Sequence, residues 1–91
     1  MTRMRLLPME PGAWSAELDE GDQRTTHRVI VPDGFLDQLA LVDGDPERVA
    51  RETLGFLLDR LPSTALPAEI SVYDVAEEHP DFTDELLTRL A

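Results

Sequence analysis

No cysteine occurs in these 91 residues. That removes disulfide frameworks and thiolate metal sites, and it points to a reducing compartment. Lysine is missing too, since every one of the eight basic residues is arginine, the usage expected of a GC-rich bacterial genome. Only five residues are aromatic, so the core must be built mainly on Leu, Val and Ala. No apolar run approaches the roughly 20 residues needed to span a bilayer, and the opening MTRMRLLPMEPG lacks the apolar stretch of a signal peptide. A cytoplasmic protein without a membrane segment is expected.

Catalytic equipment is equally scarce. Gly12, Gly21, Gly34, Gly44 and Gly55 are isolated and match neither a Walker loop nor a dinucleotide fingerprint. The three serines sit in WSA, PST and ISV contexts, without a nucleophile elbow, and only two histidines could serve them. No catalytic, cofactor-binding or metal-ligating residue is nominated, and no enzyme is expected.

What is present is acid. Nineteen carboxylates against eight arginines give a net charge of −11. Residues 1–31 carry four arginines and five acids, whereas residues 32–91 carry four arginines and fourteen acids, so the charge is concentrated in the second part. Such a field aids solubility, repels nucleic acid and anionic membrane, and attracts basic partners. A hydrophobic share of 42% fits a folded chain, and its length fits one domain over residues 1–91 with a single core.

Periodicity separates a strand-rich start, residues 1–31, from a helical pair at 33–61 and an acidic helical tail at 71–91. Met4 and Leu6 alternate with Arg3 and Arg5, the period of a strand, before Pro8, Pro11 and Gly12 punctuate a turn. Trp14, Ala16 and Leu18 share one face of a second strand. After Gly21 in the DEGDQ turn, His27, Val29 and Val31 alternate with Thr26, Arg28 and Ile30, so the two strands form an antiparallel hairpin. Pro32 ends that strand, and Asp33 is a suitable cap for a short helix through Phe35, Leu36 and Leu39. Gly44 breaks the chain. Asp45 as N-cap and Pro46 in the first helical position start a helix predicted to reach about Leu61.

After the STALPAE connection, Ser71 with Asp74 three residues on resembles another helix start. Pro80 interrupts, and a last helix capped by Asp81 or Thr83 presents Phe82, Leu86, Leu87 and Leu90. The predicted fold is α+β: a two- or three-stranded antiparallel β-meander followed by three or four α-helices.

Four positions invite a functional reading. His27 faces inward, where it is either a proton shuttle or pH sensor or a partly buried side chain with one hydrogen-bond partner. The run Glu77, Glu78, His79, Pro80 and Asp81 offers donors for a divalent metal, although a solvated acidic helix end has the same composition. Trp14 is a candidate interface anchor or a cover for the end of a small core. Phe56 is the second candidate interface residue. The apolar side chains Val49, Ala50, Leu54, Phe56, Leu57, Leu58 and Leu61 spread over roughly 200° of helix circumference, more than one sheet contact requires, with Phe56 at one margin. The helix is therefore expected to pack on the sheet on one side and on another helix, from this chain or a second copy, on the other.

Two resemblances follow from these words. RVIVPDGFLDQL, a turn, and DPERVARETLGFLLDR resemble, over residues 25–60, the ribbon-helix-helix family of dimeric bacterial DNA-binding regulators and antitoxins. That likeness implies a ribbon strand presenting Thr26, Arg28 and Ile30 to the major groove, Val29 and Val31 in the core, and the backbone at Asp45 and Pro46 beside phosphate. The whole chain is similar to a group of small bacterial proteins of unassigned function, through THRVIVP at Thr26 to Pro32 and FLLDR at Phe56 to Arg60. The latter implies a fold and a bacterial setting. Together these readings predict a non-enzymatic interaction or regulatory module acting through its helical surface, with a basic protein partner or a homodimer, against the alternative of a DNA-binding dimer.

Overall fold

The computed structural model describes residues 2–39 and 45–90. Among these residues the architecture is α+β, a four-stranded mixed sheet with four α-helices. Strands β1 (Arg3–Glu10), β2 (Ala13–Glu20) and β3 (Gln23–Ile30) form the expected antiparallel meander, and a fourth strand, β4 (Glu69–Ser71), pairs parallel to β3.

Each turn has a local cause. Gly21 takes φ +68° between β2 and β3, and Gly12 takes φ +82° between β1 and β2, values that side chains with a Cβ avoid. The first strand continues through Pro8 instead of ending there. An edge strand has ladder groups without partners, so a residue lacking an N–H is tolerated in it, and the register shifts between Pro8 and Glu10.

Alternation fixes which face is buried. Paired across the strands, Leu6, Ala16 and His27 form one row and Trp14, Val29 and Ile70 another. Both rows face the helices. Arg3, Asp19 and Arg24 make a row on the opposite face, where Arg24 meets Glu17 and Asp19 at 3.7 and 3.5 Å.

Helix α1 (Asp33–Gln38) begins one residue earlier than expected, with Pro32 in the cap position and extended at ψ 147°, so Asp33 is its first residue rather than its cap. Gly44, expected to break the chain, lies outside the described residues. Helix α2 (Pro46–Leu58) is capped as predicted: the Asp45 carboxylate accepts from the Glu47 amide at 3.0 Å. It closes at Leu58, and a further turn carries the chain to Leu61, whose amide donates to the Leu57 carbonyl at 2.8 Å. A 3-10 turn, Ser63–Ala65, precedes β4. Ser71 then occupies the cap position of α3 (Val72–Glu78) without a side-chain cap bond, and α4 (Phe82–Leu90) completes the fold.

Phe56 corrects the sequence-based expectation. It is fully buried, not marginal, with its ring centroid 5.0 Å from that of Phe82 and 5.4 Å from that of His79. Leu61 apart, the wide apolar arc of α2 is spent inside the chain, on the sheet and on α4. The Arg60 guanidinium lies 3.7 Å over the same ring and reaches Asp81 at 2.9 Å and Glu85 at 3.1 Å. Arg89 pairs with Asp59 across this seam and with Glu85 one turn back on α4. Burial works against the Arg89 cation, but those two carboxylates more than offset it and hold its pKa above the ordinary arginine value.

Candidate functional site

The end of helix α2, the Leu66–Pro67 segment, β4 and α3 surround a groove of about 260 Å³. Its floor is built from residues that the elements aim inward: Leu57 from the end of α2, Leu66 after the 3-10 turn, Ile70 from β4 and Val75 from α3. Leu61, 40% exposed, forms an apolar lip. The rim is acidic. Glu69 precedes the groove on β4, while Asp74 and Glu78, four residues apart and hence on one side of α3, stand with His79 along its wall.

Among the described residues, Glu69, Asp74 and Glu78 have no ion-pair partner, unlike Asp59, Asp81 and Glu85, which Arg60 and Arg89 neutralise. All three rim carboxylates are exposed. The concavity therefore combines an apolar floor with uncompensated negative charge. At about 260 Å³ it falls below the roughly 300–1,000 Å³ usual for small-molecule sites, a size suited to one or two side chains.

The remaining candidates are placed as follows. His27 is buried, its Nδ1–H donates to the Pro67 carbonyl at 2.6 Å, and its Nε2 meets the Thr25 hydroxyl at 2.9 Å. It has two partners, one more than the sequence reading allowed, and it ties β3 to the segment that leads into β4. Trp14 is half-buried on the helix-facing side of the sheet and packs against the core. His79 lies edge-on to Phe56. Among the described residues, no group of three or more His, Cys, Asp or Glu side chains converges as a metal site, so the run from Glu77 to Asp81 does not gather its donors.

Thr26 and Arg28 are exposed and Ile30 is half-buried, on the open face of the sheet, and Arg28 forms an ion pair with Glu10. β2 pairs along one edge of β3, and β4 takes Arg28–Ile30 on the other. The two-chain ribbon implied by the ribbon-helix-helix likeness would use that second edge, of which Arg28–Ile30 is already paired within the chain.

Sequence reasoning missed two features. Ser63 donates its amide to Glu20 at 2.7 Å, 43 residues away. The Ser63 hydroxyl, then its amide, hold the Glu20 carboxyl below its usual range, although the hydroxyl is buried without a hydrogen bond of good geometry. The other is β4, whose three residues Glu69–Ser71 are too few for a period-two pattern to register.

Among the described residues, no helix is long and apolar enough to cross a membrane. Comparison with protein families, curated proteins and solved structures found no match to the chain.

Proposed function

We propose that this chain is a non-enzymatic, cytoplasmic interaction module that docks a basic protein partner, with a regulatory outcome, through the groove between β4 and α3. The single observation that carries the reading is an apolar floor ringed by three carboxylates without ion-pair partners. A free carboxylate beside an apolar surface attracts a cation and rewards burial of an apolar side chain next to it. The concentration of negative charge in residues 32–91 supports steering of a basic protein and disfavours nucleic acid as partner, because phosphates would meet like charge.

Selection of a random displayed-peptide library against the folded protein tests this. Clones should be recovered whose binding is abolished by Leu61→Asp, at the lip of the groove, and unchanged by Leu7→Asp on the distant edge strand. If no clone depends on Leu61, the groove is not a docking site.

A further inference from the structure

The free edge of β4 forms one wall of the groove. In this parallel pairing the Arg28 amide donates to the Ala68 carbonyl at 2.7 Å, which sets the phase of the ladder. Backbone groups in a strand alternate in direction. Those of Ala68 and Ile70 therefore face β3, and those of Glu69 and Ser71 face away from it. The Ser71 carbonyl belongs to the first turn of α3, but the Glu69 amide, the Glu69 carbonyl and the Ser71 amide have no hydrogen-bond partner among the described residues. Three backbone groups in the order donor, acceptor, donor thus stand at the margin of a groove with an apolar floor and an acidic rim.

We infer that the groove accepts an extended basic segment of a partner protein as a fifth strand added to β4. The inference rests on the docking function proposed above and gives the occupant its chemistry. A residue opposite Glu69 in an antiparallel strand exchanges both hydrogen bonds with it, and the next pairing reaches the Ser71 amide. Alternating side chains of the same segment then divide between the two faces. One set enters the floor of Leu57, Leu66, Ile70 and Val75, and the other carries arginine or lysine to Glu69, which stands opposite Arg28 on the open face. Asp74 and Glu78, on α3 at the floor side of the groove, add to the negative field that draws the basic segment in.

Charge complementarity selects this occupant over a second copy of the chain, whose helical part repeats the negative charge, and a helix in the groove would leave the β4 backbone groups unpaired. Such a segment also satisfies groups that otherwise depend on water. The short strand is suited to this use: with three residues, Glu69–Ser71, it offers too little edge for uncontrolled sheet extension, the hazard of long bare edges.

The test uses fluorescein-labelled hexapeptides and the whole chain. An alternating arginine–valine peptide should bind saturably at sub-millimolar concentration, with amide chemical-shift changes centred on Glu69 and Ser71. An alternating glutamate–valine peptide should not bind. N-methylation of the peptide amides that face β4 should weaken binding about tenfold, the loss expected for a backbone hydrogen bond and its desolvated partner. Methylation of the opposite set should not. Glu69→Pro removes the outward amide and the charge while leaving the bonds to β3, and it should weaken binding more than Glu69→Gln, which removes the charge alone. Equal affinity for both N-methylated peptides would overturn the inference and reveal general attraction between opposite charges. Library selection separates this failure from failure of the docking function: Leu61-dependent clones that are acidic or helical would overturn the added strand and leave the groove as a docking site.

Discussion

Replacing Phe56 with alanine is the sharpest probe of how this small core is held. The side chain is fully buried where α2 meets α4, edge-on to Phe82 and His79 and beneath the Arg60 guanidinium. Truncation of a buried phenylalanine costs roughly 3–5 kcal/mol, because the transfer free energy is lost and the cavity only partly closes. Loss of the aromatic pairs and of the cation–π contact, each about 0.5–1.5 kcal/mol, belongs to the same truncation and is not added again. A chain of this length has a total stability of roughly 0.05–0.15 kcal/mol per residue, so Phe56→Ala removes a large share of it.

The expected loss of about 4 kcal/mol lowers Tm by roughly 15–30 °C. Thermal and urea unfolding followed by circular dichroism measure it, and Phe56→Asp, which buries an unpaired charge, should not fold at all. Leu87→Ala, on a side chain 37% exposed on the same α4, should cost less than about 1 kcal/mol. A folded Phe56→Asp, or a loss below about 1 kcal/mol for Phe56→Ala, would refute the packing of α2 on α4.

Gly12→Ala should cost about 2 kcal/mol or more, since φ is +82° and an added Cβ would stand 3.0 Å from the Val31 carbonyl oxygen; Gly21→Ala, at φ +68° with open space around it, should cost roughly 1 kcal/mol in the same urea titration. The Glu20 carboxyl is held below its usual range, so the stability it contributes is present above its unfolded pKa of about 4 and is lost as pH falls through the lower folded value. Glu20→Gln should therefore flatten the acid limb of a Tm–pH profile, and an unchanged limb would refute the assignment. Thr53 is buried in the apolar arc of α2, and its hydroxyl donates to the Val49 carbonyl at 2.7 Å, which also takes the helical bond. Thr53→Val leaves nothing unpaired and should stay within about 1 kcal/mol of the parent, whereas Thr53→Ser, which loses a buried methyl, should be the less stable of the two in chemical denaturation.

Much of the fold was legible because local chemistry decided it. Gly21 in a short turn between two alternating runs forces a hairpin, and Asp45 followed by Pro46 is both a side-chain cap and a preset φ, so these elements formed where the sequence placed them. Pro8 was misleading because a proline ends a strand only when its missing N–H would have been used, and on the edge strand β1 it would not. Phe56 was misleading for a geometric reason. It and Leu54 stand about 160° apart around α2, too far for one contact surface, and the sequence could not say that α4 of the same chain would cover the second. Charge gave no help there, since Asp81 and Glu85 read as solvated acids until Arg60 is seen to close over Phe56 and pair with both.

The part of the site that was illegible was hidden by the property that gives it a use. β4 carries only Glu, Ile and Ser, and its pairing with β3 joins residues about 40 positions apart, so neither periodicity nor a turn signal announces it. Its position is set from a distance: His27, deep in β3, donates to the Pro67 carbonyl and holds the approaching chain against the sheet. The ladder then lasts only until Ser71, where the backbone turns into α3. A strand that begins on a buried histidine and ends in a helix cap cannot lengthen in either direction, so its outer edge stays short, while α3 brings Asp74 and Glu78 beside that edge. The neighbouring floor needs Leu57 and Leu66 from segments that the sequence shows only as a helix end and a loop. The acidic residues were visible from the first reading, but only the juxtaposition of β4, α3 and the end of α2 distinguishes carboxylates that face a groove from those that α4 and its arginines already neutralise.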